Sequence, residues 1–281
     1  MDSPEDTVQL VIAESERLIQ YLHALPTEAW RTPSACGRWE VRDVVAHLTG
    51  QGQVYADSIV RSLQGDASTP EDRPAAGTAT AASFAEASAQ RTIARREQWG
   101  DQVLSEFINT NAQLNQRLAN LGPQDWEKTH FFNSLGMAPL RFRPALRLFE
   151  LVLHGWDIRS RLESDVHLLP ESLPVLLGLV RGPFTRWLFR PSPRLPAPIR
   201  YRFVLTAAEA YDTDIVIEGD TASIEPLGSG VATVTCRCDA ETFVLIMSGR
   251  LGLPDALAQG SLVAEGEVER VDAFAQWFGA A

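Results

Sequence analysis

Pro191, Pro193, Pro196 and Pro198 all fall within the segment 190–198, and neither a helix interior nor a central strand tolerates that density of residues without a backbone N–H. The segment therefore reads as a stiff connector, and the chain on its two sides carries different periodicities. Before it, apolar residues recur at helical spacing. After it, short runs rich in β-branched residues alternate with turn residues. With 281 residues the chain can bury a core on each side. The predicted architecture is α followed by α+β: a helical bundle over 1–165, a connecting helix and Pro-rich linker over 166–198, and an α+β domain over 199–281.

In the first part, Val8, Val11, Leu18, Leu22 and Leu25 predict a helix that Pro26 ends. A loop holding Pro33, Ser34, Cys36 and Gly37 leads to a second helix from Val41, whose apolar side carries Val44, Val45, Leu48, Val54 and Ile59. Residues 64–82 have the composition of a long loop. A third helix is predicted from Phe84 to Leu121, interrupted near Gly100 and stopped by Gly122-Pro123. Residues 125–138 read as irregular, and a fourth helix runs from about Pro139 to about Leu162. Four helices so connected fit a bundle.

Beyond Leu169 a helix is predicted over 171–190, then strands at 199–207, 214–218, 222–225 and 232–238. Asp239 suits the N-cap of a helix over 240–248. A short strand at 262–265 and a helix at 268–278 complete the chain.

The fourth helix carries the most informative polar pair. Glu150 and His154 lie four positions apart and share one helix face about a turn apart. Their neighbours Leu146, Phe149, Leu151, Val152 and Leu153 are apolar, so the pair points into a protein interior, where a carboxylate needs a partner. His47 sits on the apolar stripe of the second helix, with Val44 and Val54. In a bundle, metal sites are built from side chains on facing helices. Two imidazoles and a carboxylate would leave a cation one open position, as in catalytic zinc sites. The same set would also hold ferrous iron, nickel or manganese. The competing reading is a polar pair satisfied by its neighbours.

A net charge of -11 excludes nucleic acid as the main partner, because phosphate binding draws on clustered Lys and Arg. No apolar run approaches a membrane span, and the N-terminus Met1-Asp2-Ser3-Pro4-Glu5-Asp6 is acidic where a secretory signal is basic. A cytoplasmic protein, monomer or homodimer, is expected. Cys36, Cys236 and Cys238 are too few and too unevenly placed for a disulfide framework and read as free thiols.

The segments Trp39-Glu40-Val41-Arg42-Asp43-Val44-Val45-Ala46-His47-Leu48 and Glu150-Leu151-Val152-Leu153-His154-Gly155-Trp156-Asp157 resemble the two signature stretches of the DinB-like superfamily, and within it the mycothiol-dependent maleylpyruvate isomerase family. The stretches from Asp239 to Phe243, Gly249 to Leu251 and Val263 to Glu267 are similar to that family's sterol-carrier-like domain, although Glu267 follows Gly266 where the family has Gly-Asp. The resemblance implies a metal-binding four-helix domain with His47, Glu150 and His154 on the ligand positions, a C-terminal sterol-carrier-like α+β domain, and mycothiol bound to the metal as thiolate. A cation lowers a thiol's pKa and supplies a nucleophile at neutral pH. An isomerase or S-transferase acting on a small electrophilic, acidic metabolite is expected, with its pocket between the two domains.

Asp157 and Asp43 are candidates to orient His154 and His47 through their second ring nitrogens; for Asp43 the plain alternative is a helix-start carboxylate. Asp157, Arg159 and His130 are the expected cofactor-binding residues and Arg250 the expected catalytic one, with Arg161 a further candidate for an acidic ligand. His23 and His167 are expected to be structural. Two rival readings share these residues: a small-molecule-binding protein with a non-catalytic metal site, and a metal hydrolase that activates water.

Overall fold

The structure is a computed structural model that describes residues 3–68, 81–133, 136–182, 185, 188–190 and 197–278, with the backbone alone for 81–85, 131–133, 136 and 209. It divides into two compact units, Met1–Ser172 and Leu173–Ala281.

The first unit is helical. Helices α1 (Pro4–Ala24), α2 (Val41–Leu63), α3 (Ala81–Trp99), α4 (Val103–Ala119) and α5 (Arg143–Arg159) follow in order. The interruption expected near Gly100 is a 3₁₀ turn, Gly100–Gln102, with Gly100 at φ +52°, so α3 and α4 are two pieces of one predicted helix. Helix α1 packs on α4 and α5, and α2 on α3, α4 and α5. Val11, Leu18, Leu22, Val44, Leu48, Phe107, Leu114, Leu148 and Leu151 are buried between them. Helix α1 starts at Ser3, whose hydroxyl accepts from Asp6 N at 3.1 Å, and Glu5 and Asp6 sit at the positive end of its dipole.

At the start of α2, Glu40 N donates to Asp43 Oδ2 at 2.9 Å, and Arg96 of α3 pairs with Asp43 Oδ1 at 3.0 Å. Asp43 is thus the helix-start carboxylate of the two readings above. Further along, a Cβ on Gly52 would stand 2.7 Å from Thr110 Cγ2 of α4, so the missing side chain lets the two helices approach.

Residues 125–138 are more ordered than the sequence pattern indicates. Strands β1 (Thr129–Asn133) and β2 (Gly136–Pro139) pair antiparallel, His130 opposite Ala138. Strands this short show no extended alternation, so the sequence pattern alone does not reveal them. The hairpin is tied to α2 by Ser62 Oγ, which donates to Thr129 O at 2.8 Å. The long loop expected at 64–82 and the linker at 190–198 lie largely outside the described residues.

The second unit opens with α6 (Leu173–Val180) and is built on five strands: β3 (Ile199–Thr206), β4 (Thr213–Glu218), β5 (Thr221–Glu225), β6 (Val234–Asp239) and β7 (Leu262–Gly266). Their order is β5-β4-β3-β6-β7, antiparallel except for the parallel pair β3 and β6. Ile199, Tyr201, Phe203 and Leu205 alternate inward along β3. Helices α7 (Ala240–Met247), α8 (Leu253–Gln259) and α9 (Val271–Phe278) complete the unit. Asp239 caps α7 as expected, accepting from Thr242 N at 2.7 Å. Helix α8 was absent from the sequence expectation, since its seven residues are too few to establish a period. Phe203 and Phe243 lie 4.9 Å apart between ring centres, as do Tyr201 and Phe274. Cys236 and Cys238 are buried on β6, and burial pushes both thiols up to about 12.

Candidate metal centre

Helix α5 is buried over most of its circumference, charged residues included: Leu148, Leu151, Leu153 and Ile158 are fully enclosed, and so are Arg143, Arg147 and Asp157 to within 1%. Glu150 and His154 are therefore held among packed neighbours rather than in water. From α2, His47 arrives beside Val44 and Leu48, both with no exposure. The three side chains keep 16%, 14% and 10% of their surface exposed, respectively.

The facing atoms are specific. Glu150 Oε2 lies 3.2 Å from His47 Nε2 and 3.3 Å from His154 Nε2. The imidazole rings meet edge to face at 4.8 Å, and one donor atom from each residue falls within 4.8 Å of the others. Ligands at about 2.1 Å from a tetrahedral cation stand about 3.4 Å apart, so the two contacts to Glu150 already have nearly that spacing. Two imidazole nitrogens and one carboxylate are a donor set that suits a divalent cation of the zinc class.

Around this trio the chain builds a wall and a brace. The Trp39 ring lies 4.9 Å from His47 and 6.3 Å from His154. On the far side of His154, Nδ1 is 2.8 Å from Asp157 Oδ2, which leaves Nε2 for the trio. Asp157 is 1% exposed, and it also accepts from Cys36 Sγ at 2.9 Å.

The electrostatics follow from burial and this bonding. Burial pushes His47 down, against the hydrogen bond it makes to the Glu150 carboxylate, and the charge of His154 pushes the same way as burial. For Glu150, burial works to raise the pKa, but the bonds to His154 and His47 outweigh it and hold the carboxyl well below the usual range. For His154, burial opposes the charged form, yet Cys36, Asp157 and Glu150 together keep its pKa well above the ordinary value. One carboxylate thus faces two imidazoles of opposite tendency.

The other expected site residues are distributed differently. Arg159 ends α5 and donates to Glu163 at 3.1 Å, with its guanidinium 5.8 Å from the Tyr21 ring; neither contact belongs to the trio. His130 lies on β1, 1% exposed. Burial drives its pKa down to about 3, Arg143 adds to that, and Ala138 offers a backbone hydrogen bond. Arg143 and Ala138 both lie outside the trio. Arg250 belongs to the second unit, where it donates to Ser248 O at 3.1 Å. His23 and His167 are exposed, and His167 pairs with Asp165 at 3.0 Å.

Two features escaped the sequence reading. Cys36 lies 118 residues from His154, yet its Sγ is 3.4 Å from His154 Nδ1; nothing local in the sequence links them. Arg143 and Arg147 are 1% and 0% exposed on α5, and burial lowers both pKa values to about 10. Their signal was available: they fall seven and three positions before Glu150, on the same inward face. Arg147 donates to Leu48 O and Asn111 Oδ1, each at 2.9 Å, and Arg143 lies over the Tyr55 ring at 4.2 Å.

Residues 11–159 match the family described as the mycothiol maleylpyruvate isomerase N-terminal domain. No curated protein matches the sequence significantly. Among solved structures, the chain is similar to a crystal structure of the mycothiol-dependent maleylpyruvate isomerase, at 13% identity and a TM-score of 0.64, over 88% of this chain and 89% of that one. A histidine-to-alanine mutant of that isomerase aligns at 12% identity and a TM-score of 0.64, over 93% and 92% of the two chains. At these identities the structural likeness establishes the fold, a helical unit followed by a sheet unit, and the sequence match across more than half of the chain establishes the kinship. The chain belongs to the mycothiol maleylpyruvate isomerase N-terminal domain family.

Proposed function

We propose that this protein is a thiol-dependent isomerase in which His47, Glu150 and His154 hold a divalent cation, zinc first among the candidates, and a low-molecular-weight thiol, mycothiol in the first instance, provides the nucleophile. The substrate class is a small acid with an electrophilic double bond. The observation that carries this reading is the approach of two imidazole nitrogens to one carboxylate oxygen at 3.2 and 3.3 Å, close to the spacing of ligands around a common cation. Support for the thiol comes from the family match and from the mycothiol-dependent isomerase that shares the fold.

A cation held there supplies the Lewis acidity that keeps a thiol deprotonated at neutral pH. The chain's own residues do the rest. Asp157 keeps His154 turned so that Nε2 faces Glu150. Trp39 covers one side of the histidine pair and limits water, strengthening charge interactions inside the site. Addition of thiolate to one carbon of a cis double bond turns that bond into a single bond and places the electron pair on the conjugated carbonyl. Rotation followed by expulsion of the thiolate restores the double bond as trans and returns the thiol unchanged.

Elemental analysis of the purified protein should give about one divalent cation per chain, lost in His154→Ala. A cis-enedioate acid with mycothiol should then be converted to its trans isomer, followed by proton NMR, with thiol concentration constant. Accumulation of a stable thioether would make the protein an S-transferase, isomerisation without thiol would overturn the thiol reading, and a water-cleaved product formed without thiol would make it a hydrolase. A wild-type protein that binds no cation removes the basis of the reading.

A further inference from the structure

Two clusters of metal-capable groups share His154: His47 and Glu150 on the side of Nε2, Cys36 and Asp157 on the side of Nδ1. Their spacings differ. On the first side the separations are 3.2 and 3.3 Å, near those of ligands around a cation. On the second, Asp157 Oδ2 is 2.8 Å from Nδ1 and 2.9 Å from Cys36 Sγ, which is direct hydrogen-bond contact. Cys36 and the imidazole also meet the same carboxylate oxygen. A nucleophile–base–acid relay needs its partners on opposite ring nitrogens, so the cluster is not such a relay.

The loop that carries Cys36 reaches Asp157 twice, since Ala35 N donates to Asp157 O at 2.9 Å while Cys36 Sγ donates to the side chain. Within the loop, Ser34 Oγ donates to Trp39 O at 2.7 Å and accepts from Cys36 N at 3.1 Å. The same short loop therefore sets Trp39 against His47 and Cys36 against the brace of His154.

We propose that Cys36 is a positioning residue of the cation site: its S–H, with the Ala35 N–H, fixes Asp157, and Asp157 fixes His154 with Nε2 toward Glu150. The inference rests on the cation reading above and adds to it a third layer, cysteine to aspartate to histidine. Cys36 contributes through its hydrogen bond to Asp157 and does not bind the cation itself.

The test compares zinc affinity, by competition with a chromophoric chelator, for wild type, Cys36→Ser and Cys36→Ala, with thermal melts and circular dichroism confirming that each is folded. Cys36→Ala should weaken zinc binding about 10–100-fold, the usual effect of losing an outer partner, while Cys36→Ser, which retains a donor, should stay within about threefold of wild type. Equal affinity in Cys36→Ala overturns the role of Cys36 and leaves the cation site standing. Equal weakening in both variants overturns the hydrogen-bond account. With cobalt(II) in place of zinc, the wild type should show no thiolate-to-metal absorption in the near ultraviolet. A band that disappears in Cys36→Ser makes Cys36 a ligand and overturns the proposal. If the wild type takes up neither cation, the underlying site reading falls with it, and that failure is recognisable because it precedes any mutation.

Discussion

His47 and Glu150, 103 residues apart and on different helices, bring Nε2 and Oε2 to 3.2 Å. Neither helix alone contains the site. The i,i+4 geometry of α5 supplies Glu150 and His154 together, and the packing of α2 against α5 adds the third group.

Glu150→Gln keeps the shape of the side chain and removes its charge. Zinc affinity should fall by more than the roughly 10–100-fold of an outer partner, because a ligand of the proposed site loses its anionic oxygen. The chelator competition measures it; an unchanged affinity would place the cation elsewhere.

Arg147 is fully buried and held by two neutral oxygens, Leu48 O and Asn111 Oδ1. Arg147→Ala opens a cavity and strands both acceptors, so urea denaturation should show a loss of about 3–5 kcal/mol. Asn111→Ala, which removes one acceptor, should cost about 1–3 kcal/mol. A loss below about 1 kcal/mol for Arg147→Ala would mean that the guanidinium is not fixed by these bonds.

Gly52→Ala would normally help a helix by about 1 kcal/mol. Here the added Cβ meets Thr110 Cγ2 at 2.7 Å and Arg147 Nη2 at 3.5 Å, and the threonine methyl sits on a short, stiff side chain. The substitution should therefore destabilise by about 1–3 kcal/mol. Adding Thr110→Ser, which deletes the methyl, should restore part of that loss, as read in a double-mutant cycle.

In the second unit, Asp214 has no side-chain exposure and accepts from Arg202 Nε and Nη2, both at 2.8 Å, and from Arg200 Nη1 at 3.1 Å. Burial works to raise its pKa, but the bonds from Arg202 and Arg200 outweigh burial and lower it. A carboxyl lowered on folding contributes stability that is present above its unfolded value of about 3.9 and is lost as pH falls toward its folded value. Thermal melts from pH 6 downward should show this loss below about pH 4. Asp214→Asn should be less stable at neutral pH and have a flatter acid limb; an unchanged acid limb would assign the loss to other carboxyls.

Much of the fold was legible in the sequence because periodicity and punctuation are local. The stripes of Val44, Leu48, Leu148 and Leu151, the stop at Pro26, the break at Gly100 and the cap at Asp239 follow from residues within a turn or two of one another. Short elements escaped for the same reason: the hairpin Thr129–Pro139 and helix α8 offer too few residues for a period. At the candidate site, the local rule put Glu150 and His154 on one helix face, and the apolar stripe turned His47 inward. Only tertiary packing decided that His47 meets Glu150, that Asp43 turns to Arg96 rather than to the trio, and that Cys36 reaches Asp157 across 121 positions. Those contacts arise between elements, so they depend on how the helices cross, and the close approach at Gly52 that helps to set one crossing appears in the sequence only as a glycine.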